Sequence, residues 1–144
     1  MKEADAARAR AYTLPVRVYY EDTDAGGVVY YANYLKFMER CRSEWLGSLG
    51  YDIAELARTR NTIFAVRAAE MDFRRPARLS DRLEVSTALA GVRAASLEIE
   101  HEVRREAELL CRARIKLACL DAANFAPKPI PVNVREAIER WRTF

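Results

Sequence analysis

In the stretch Leu97-Glu98-Ile99-Glu100-His101-Glu102-Val103, every second residue is a glutamate. A period of two marks a strand with one buried face. Leu97, Ile99, His101 and Val103 are therefore expected to face a core, and the three glutamates to face out. The next run repeats the pattern. Leu109, Cys111, Ala113, Ile115, Leu117 and Cys119 alternate with Leu110, Arg112, Arg114, Lys116 and Ala118. Two such runs joined by a few residues predict an antiparallel hairpin. Its outer face sets an acidic row against a basic row. Cross-strand ion pairs are expected there, worth roughly 0.2–1 kcal/mol each.

Working outward, Leu83, Val85, Thr87 and Leu89 keep the same period, and Gly91 is expected to mark a turn. Thr62 to Phe73 reads as a strand, ended by Arg74-Arg75-Pro76-Ala77-Arg78. Upstream the period changes to a helical one. From Asn33 to Ser48, Leu35, Met38, Cys41, Trp45, Leu46 and Leu49 form an apolar stripe, with Lys36, Glu39, Arg40, Ser43 and Glu44 on the other face. Gly50 is placed to stop that helix. Leu14 to Tyr20 reads as a first strand. Glu21-Asp22-Thr23-Asp24-Ala25-Gly26-Gly27 must be a loop, and Val28-Val29-Tyr30-Tyr31 leads into the helix. Residues 1–12 read as a flexible tail, and 13–144 as a single domain. Pro127, Pro129 and Pro131 stiffen the chain before a short helix from Val134 to Trp141. One strand, one long helix and four further strands predict an α+β fold, an antiparallel sheet with a helix on one face.

The composition is that of one soluble-type domain. Of 144 residues, 51% are hydrophobic and 31% charged, which excludes intrinsic disorder. A chain of this length buries roughly 70% of its unfolded surface, so no covalent staples are needed. The net charge of +3 comes mostly from arginine interspersed with glutamate. No block of like charge suggests a nucleic-acid arm, whereas an anionic small molecule needs only two or three of these groups. Cys41, Cys111 and Cys119 have no metal-like spacing and read as reduced, buried thiols. The polar start is no secretory signal, and no run approaches the ~20 apolar residues of a membrane span. A cytoplasmic location is expected.

Several chemistries are excluded. The one histidine, His101, sits on an apolar strand face and reads as a satisfied core residue. There is no Gly-x-Ser-x-Gly elbow, no Walker loop and no dinucleotide fingerprint. No metal site and no cofactor are expected. The acidic loop before the long helix remains. Its residues alone allow two readings: a solvated loop, or a reaction centre. In the second, glycines admit a ligand to the backbone. The free N–H groups at the helix start stabilise an oxyanion, and a carboxylate attacks a thioester or activates water.

At this loop the sequence resembles a known family. The run Val16-Arg17-Val18-Tyr19-Tyr20-Glu21-Asp22-Thr23-Asp24-Ala25-Gly26-Gly27-Val28-Val29-Tyr30-Tyr31-Ala32-Asn33-Tyr34 is similar to the Tol-Pal-associated acyl-CoA thioesterases. These belong to the 4-hydroxybenzoyl-CoA thioesterase group of hotdog proteins. The likeness continues through Phe37, Glu39, Arg40, Arg42 and Glu44, then Pro76-Ala77-Arg78-Leu79 and Asp81, then Pro127-Lys128-Pro129. It implies a hotdog fold, a curved antiparallel sheet wrapped around one long helix. It also implies an enzyme that hydrolyses acyl-CoA, or a thioester of acyl carrier protein. Family members form homodimers, often paired into homotetramers, with sites at the dimer interface.

The family's catalytic carboxylate aligns with Asp24, as nucleophile or general base. Its backbone oxyanion donor aligns with Tyr31, where many relatives carry histidine. Gly26, Gly27, Val28, Tyr34 and Arg78 are expected at the substrate, although Tyr34 and Phe37 also read as core. Arg74 and Arg75 are further candidates for coenzyme A phosphates, and Asp22 for loop capping. A non-catalytic module binding acyl-CoA or acyl carrier protein is the alternative.

Overall fold

The structure, a computed structural model, describes residues 10–143. Five strands, β1 (Ala11–Arg17), β2 (Thr62–Phe73), β3 (Arg82–Val92), β4 (Ser96–Arg105) and β5 (Glu108–Asp121), form one antiparallel sheet in the order β1-β3-β4-β5-β2. Three helices accompany it: α1 (Asn33–Ser48), α2 (Ile53–Arg60) and α3 (Val132–Thr143). The α+β class is as expected.

The β4–β5 hairpin carries the expected charge rows in register, with Glu98, Glu100 and Glu102 opposite Lys116, Arg114 and Arg112. Arg112 pairs with Glu102 at 3.2 Å, and Arg114 bridges Glu98 and Glu100. One phase is corrected. A bulge where Arg104 faces Leu109 shifts the start of β5, so Leu110 is fully buried rather than outward. Gly91 is a second correction: it lies inside β3, after a bulge at Ala90, and the turn follows at residues 93–95. A third bulge, at Arg67, interrupts β2. Bulges bend strands, which suits a sheet that must curve over a helix.

On that helix the buried apolar positions are Tyr34, Phe37, Met38, Cys41, Trp45 and Leu46. Leu35, expected in the stripe, sits at its exposed border. At the C-terminus, Gly50 has φ +100°, the Gly50 N–H reaches the Gly47 carbonyl at 2.9 Å and the Tyr51 N–H the Leu46 carbonyl at 3.2 Å. That is a Schellman stop, in the conformation glycine adopts without steric cost. Helix α2 was not expected. Its caps are visible in the sequence, with Asp52 accepting from the Glu55 N–H at 3.1 Å and Asn61 ending it at φ 51°. Only Leu56 is buried, however, so its periodicity is weak.

Strand β1 begins at Ala11, so Ala11 and Tyr12 belong to the sheet rather than to a tail; residues 1–9 of the expected tail lie outside the described residues. It ends at Arg17, not Tyr20, because Tyr19–Asp22 turn over into a 3-10 turn. Helix α3 runs two residues further at each end than expected, and Trp141 packs edge-on against Trp45 at 5.4 Å. No helix of the described residues is long and apolar enough to cross a membrane.

Candidate active site

The loop between β1 and α1 is built around the carboxylate of Asp22, which is only 4% exposed. Asp22 Oδ2 accepts the Tyr19 N–H at 2.8 Å and Oδ1 accepts the Asn33 side-chain amide at 2.9 Å. Asp22 therefore caps the turn and ties it to the first residue of α1, consistent with the capping role read for it. The chain then forms a tight hairpin. Thr23 bridges Val29, the Asp24 N–H donates to the Val28 carbonyl at 2.8 Å, and the Gly27 N–H donates to the Asp24 carbonyl at 3.0 Å.

Asp24 stands at the exposed end of this hairpin. Its Oδ1 accepts the Gly26 N–H at 2.8 Å, an Asx turn that orients the side chain. Its Oδ2 has no hydrogen bond among the described residues. Gly26 is close-fitting, since a Cβ there would lie 3.2 Å from Asp24 Oδ1. Gly27 has φ +81° with open space around it. A Gly27→Ala change is thus expected to destabilise by about 1–2 kcal/mol through backbone strain alone. Chemical denaturation of the two proteins checks this.

Beyond the hairpin, the Val29 N–H donates to the Ala77 carbonyl at 2.8 Å and Val28 bridges Arg78. The segment 74–81 is held in turn by Arg105, which reaches Asp81 and Glu108 at 2.7 Å each and the Pro76 carbonyl at 3.2 Å. Burial pushes the Asp81 carboxyl up, but the Arg78 N–H and the Arg105 guanidinium outweigh it and hold it below its usual range. Of the three candidate arginines, Arg74 is paired with Asp72 at 2.9 Å and Arg75 with Glu108 at 3.1 Å. The Arg78 side chain makes no ion pair among the described residues.

At the start of α1 the Asn33 N–H closes onto the Tyr30 carbonyl at 2.8 Å. Inside that turn the Tyr31 N–H has no partner among the described residues. The Tyr31 ring is exposed, tilted against Tyr30 at 4.8 Å and edge-on to Phe73 at 6.5 Å. Tyr34, by contrast, is buried. Its hydroxyl accepts the Ala77 N–H at 3.1 Å, and its ring meets Phe73 and Phe37 edge-on. Tyr34 and Phe37 are core, as read for both: the Tyr34 residue is 4% exposed and Phe37 fully buried. Phe73 and Asn33 were not singled out. Phe73 joins the site only through the long-range packing of β2, which no local pattern signals.

His101 lies away from this loop, fully buried beneath α1. Its Nδ1 meets the Ser86 carbonyl at 3.0 Å, and Nε2 meets the Arg42 guanidinium at 3.3 Å. Neutral imidazole satisfies both if Nδ1 carries the proton. Among the described residues no cluster of His, Cys, Asp or Glu could hold a metal ion.

Residues 18–138 match the thioesterase-like superfamily. The chain belongs to that superfamily. Within it, the chain is 40% identical to the acyl-CoA thioesterase YbgC of Haemophilus influenzae, covering 91% of this chain and 96% of the relative. It is also 40% identical to the acyl-CoA thioester hydrolase YbgC of Escherichia coli O6:H1, covering 85% and 92%. A probable thioesterase from Bartonella henselae superposes with a TM-score of 0.81 at 32% identity, over 85% of this chain and all of that one. The sheet and long helix described above are therefore those of the superfamily's hotdog fold.

Proposed function

We propose that the protein is an acyl-CoA thioesterase in which Asp24 is the catalytic carboxylate and the Tyr31 N–H the oxyanion donor. One observation carries this reading. An exposed carboxylate with one oxygen anchored and, among the described residues, the other open stands on a hairpin pinned to a helix start whose Tyr31 N–H is likewise unpaired there. Two curated relatives at 40% identity bear acyl-CoA thioesterase names, which supports the substrate class.

In the proposed reaction the thioester carbonyl oxygen accepts from the Tyr31 N–H, at the positive end of α1. On the nucleophilic route, Asp24 attacks the carbonyl carbon and the C–S bond breaks, expelling coenzyme A thiolate. Water then opens the mixed anhydride to give the free acid and the carboxylate. On the general-base route, Asp24 takes a proton from water, whose oxygen attacks the carbonyl carbon; the C–S bond then breaks, and the coenzyme A thiolate leaves with the proton that Asp24 took up. The backbone of Gly26, Gly27 and Val28 lets the thioester approach, and Arg78, free of carboxylate partners among the described residues, meets the phosphates. The same chemistry serves an acyl carrier protein thioester.

The assembly in this reading is a homodimer. Strand β2 is a 12-residue edge with Val66 and Phe73 half exposed, which a second copy would cover; family likeness extends the reading to a homotetramer of two such dimers. A cytoplasmic location and a Tol-Pal association belong to the same reading by family likeness.

The test is thiol release from a panel of short, long and aromatic acyl-CoAs. Turnover of at least one class is expected. Binding without turnover by any of them would make the protein a binding module instead.

A further inference from the structure

Among the described residues Asp22 and Asn33 are two of the few buried polar ones, and their side chains bind each other. Their bond closes a frame. The Asp22 carbonyl accepts the Tyr30 N–H at 2.9 Å, and the Asn33 N–H returns to the Tyr30 carbonyl at 2.8 Å. Residues 30–33 are thus tied to Asp22 at both ends, once through its backbone and once through its carboxylate. Tyr31 lies within the tied segment, its N–H unpaired among the described residues. On the other side of Asp22, two residues along the chain, is Asp24. The Tyr19 N–H fixes the remaining carboxylate oxygen at 2.8 Å, so the frame cannot rotate about the Asp22 side chain. Hydrogen bonds to an ionised carboxylate are roughly twice as strong as neutral ones, and burial makes their loss costly.

We propose that Asp22 and Asn33 are a positioning pair that holds the Tyr31 N–H in register with Asp24. The proposal rests on the reading of Asp24 and Tyr31 given above and extends it to two residues that touch no substrate. A donor displaced by about 1 Å can cost up to ~100-fold in rate, and a donor aimed at the developing oxyanion acts on kcat more than on KM.

The pair can be broken and rebuilt. Asn33→Asp sets two carboxylates against each other, and Asp22→Ala removes the acceptor of both bonds. Each is expected to lower kcat by about 10- to 100-fold on the acyl-CoA turned over fastest, with KM little changed. The double variant Asp22→Asn with Asn33→Asp reverses the bond. The new amide at 22 donates to the carboxylate at 33 while its oxygen still accepts the Tyr19 N–H. It is expected to return kcat close to the wild-type value, which a general loss of stability would not predict.

Amide hydrogen exchange at Tyr30 reads the frame without activity. Protection is expected to fall in both single variants and recover in the double one. Undiminished kcat in both single variants, or a folded double variant with no recovery, overturns the proposal. So does a loss confined to KM, or Tyr30 exchange that no variant alters. Full activity in Asp24→Asn would instead sink the reading of Asp24, and the exchange data would still judge the frame.

Discussion

Asp24→Asn is expected to lower kcat for acyl-CoA hydrolysis by about 100-fold or more, the scale seen when a group that stabilises the transition state is removed. The change is a clean one in this structure. The amide oxygen can keep the Gly26 N–H bond that shapes the turn, now made by Asp24 Oδ1. What disappears is the charge and the nucleophilic or basic oxygen. Asp24 is exposed, so stability should change by no more than about 0.5 kcal/mol. Thiol release by both proteins, with thermal melts as control, measures it. Retained activity would move the chemistry off Asp24. The two routes separate in oxygen-18 water under single-turnover conditions, because label in the Asp24 carboxylate requires the mixed anhydride.

The second large effect concerns acid stability. Desolvation, then the charge of Arg42, lowers the His101 pKa to about 3 in the fold, against a weaker opposing effect of the Ser86 carbonyl. Its ordinary value is 6.5. Below pH 6.5 the unfolded chain takes up a proton that the folded chain refuses, so unfolding is favoured as pH falls. The slope is about 1.4 kcal/mol per pH unit. Between pH 6.5 and 5.0 this amounts to about 2 kcal/mol, rising to roughly 4–5 kcal/mol near pH 3. His101 is the chain's one histidine, the side-chain type whose ordinary pKa lies in this window. The groups packed around it add no titration there. Arg42 stays charged, Ser86 and Thr87 do not ionise, and burial pushes the Cys41 thiol up to about 11. Asp81 and Asp121, both held below their usual range in the fold, add losses in the same direction only once the pH falls below the ordinary carboxylate range. Urea denaturation at pH 7.5 and 5.0 measures the difference, and His101→Gln should flatten it. A wild-type protein equally stable at both values would mean that the buried imidazole takes up its proton without unfolding.

Local pattern made most of the frame legible. Alternation over 97–103 and 109–119 is a property of neighbours along one strand, so the hairpin, its buried face and its charge rows could be read directly. The stop at Gly50 was equally local. The errors lie where two strands must agree. A bulge is a mismatch between partners, so Leu110 turned inward and Gly91 stayed in its strand for reasons neither run contains alone. Helix α2 escaped because a helix with one buried residue has almost no period to detect, although Asp52 and Asn61 marked its ends.

The site divides in the same way. The amino-acid sequence by itself determined the ingredients: a carboxylate at 24, two glycines after it, a helix beginning at 33, and the family those residues resemble. Each depends on residue identity and short spacing. Tertiary structure alone decided how the ingredients are held. It buried Asp22 against Asn33, brought Phe73 from the far end of β2 to the ring of Tyr31, and packed Tyr34 into the core. It also spent Arg74 and Arg75 on Asp72 and Glu108. These outcomes depend on which groups lose water together, and that is fixed only when distant segments pack.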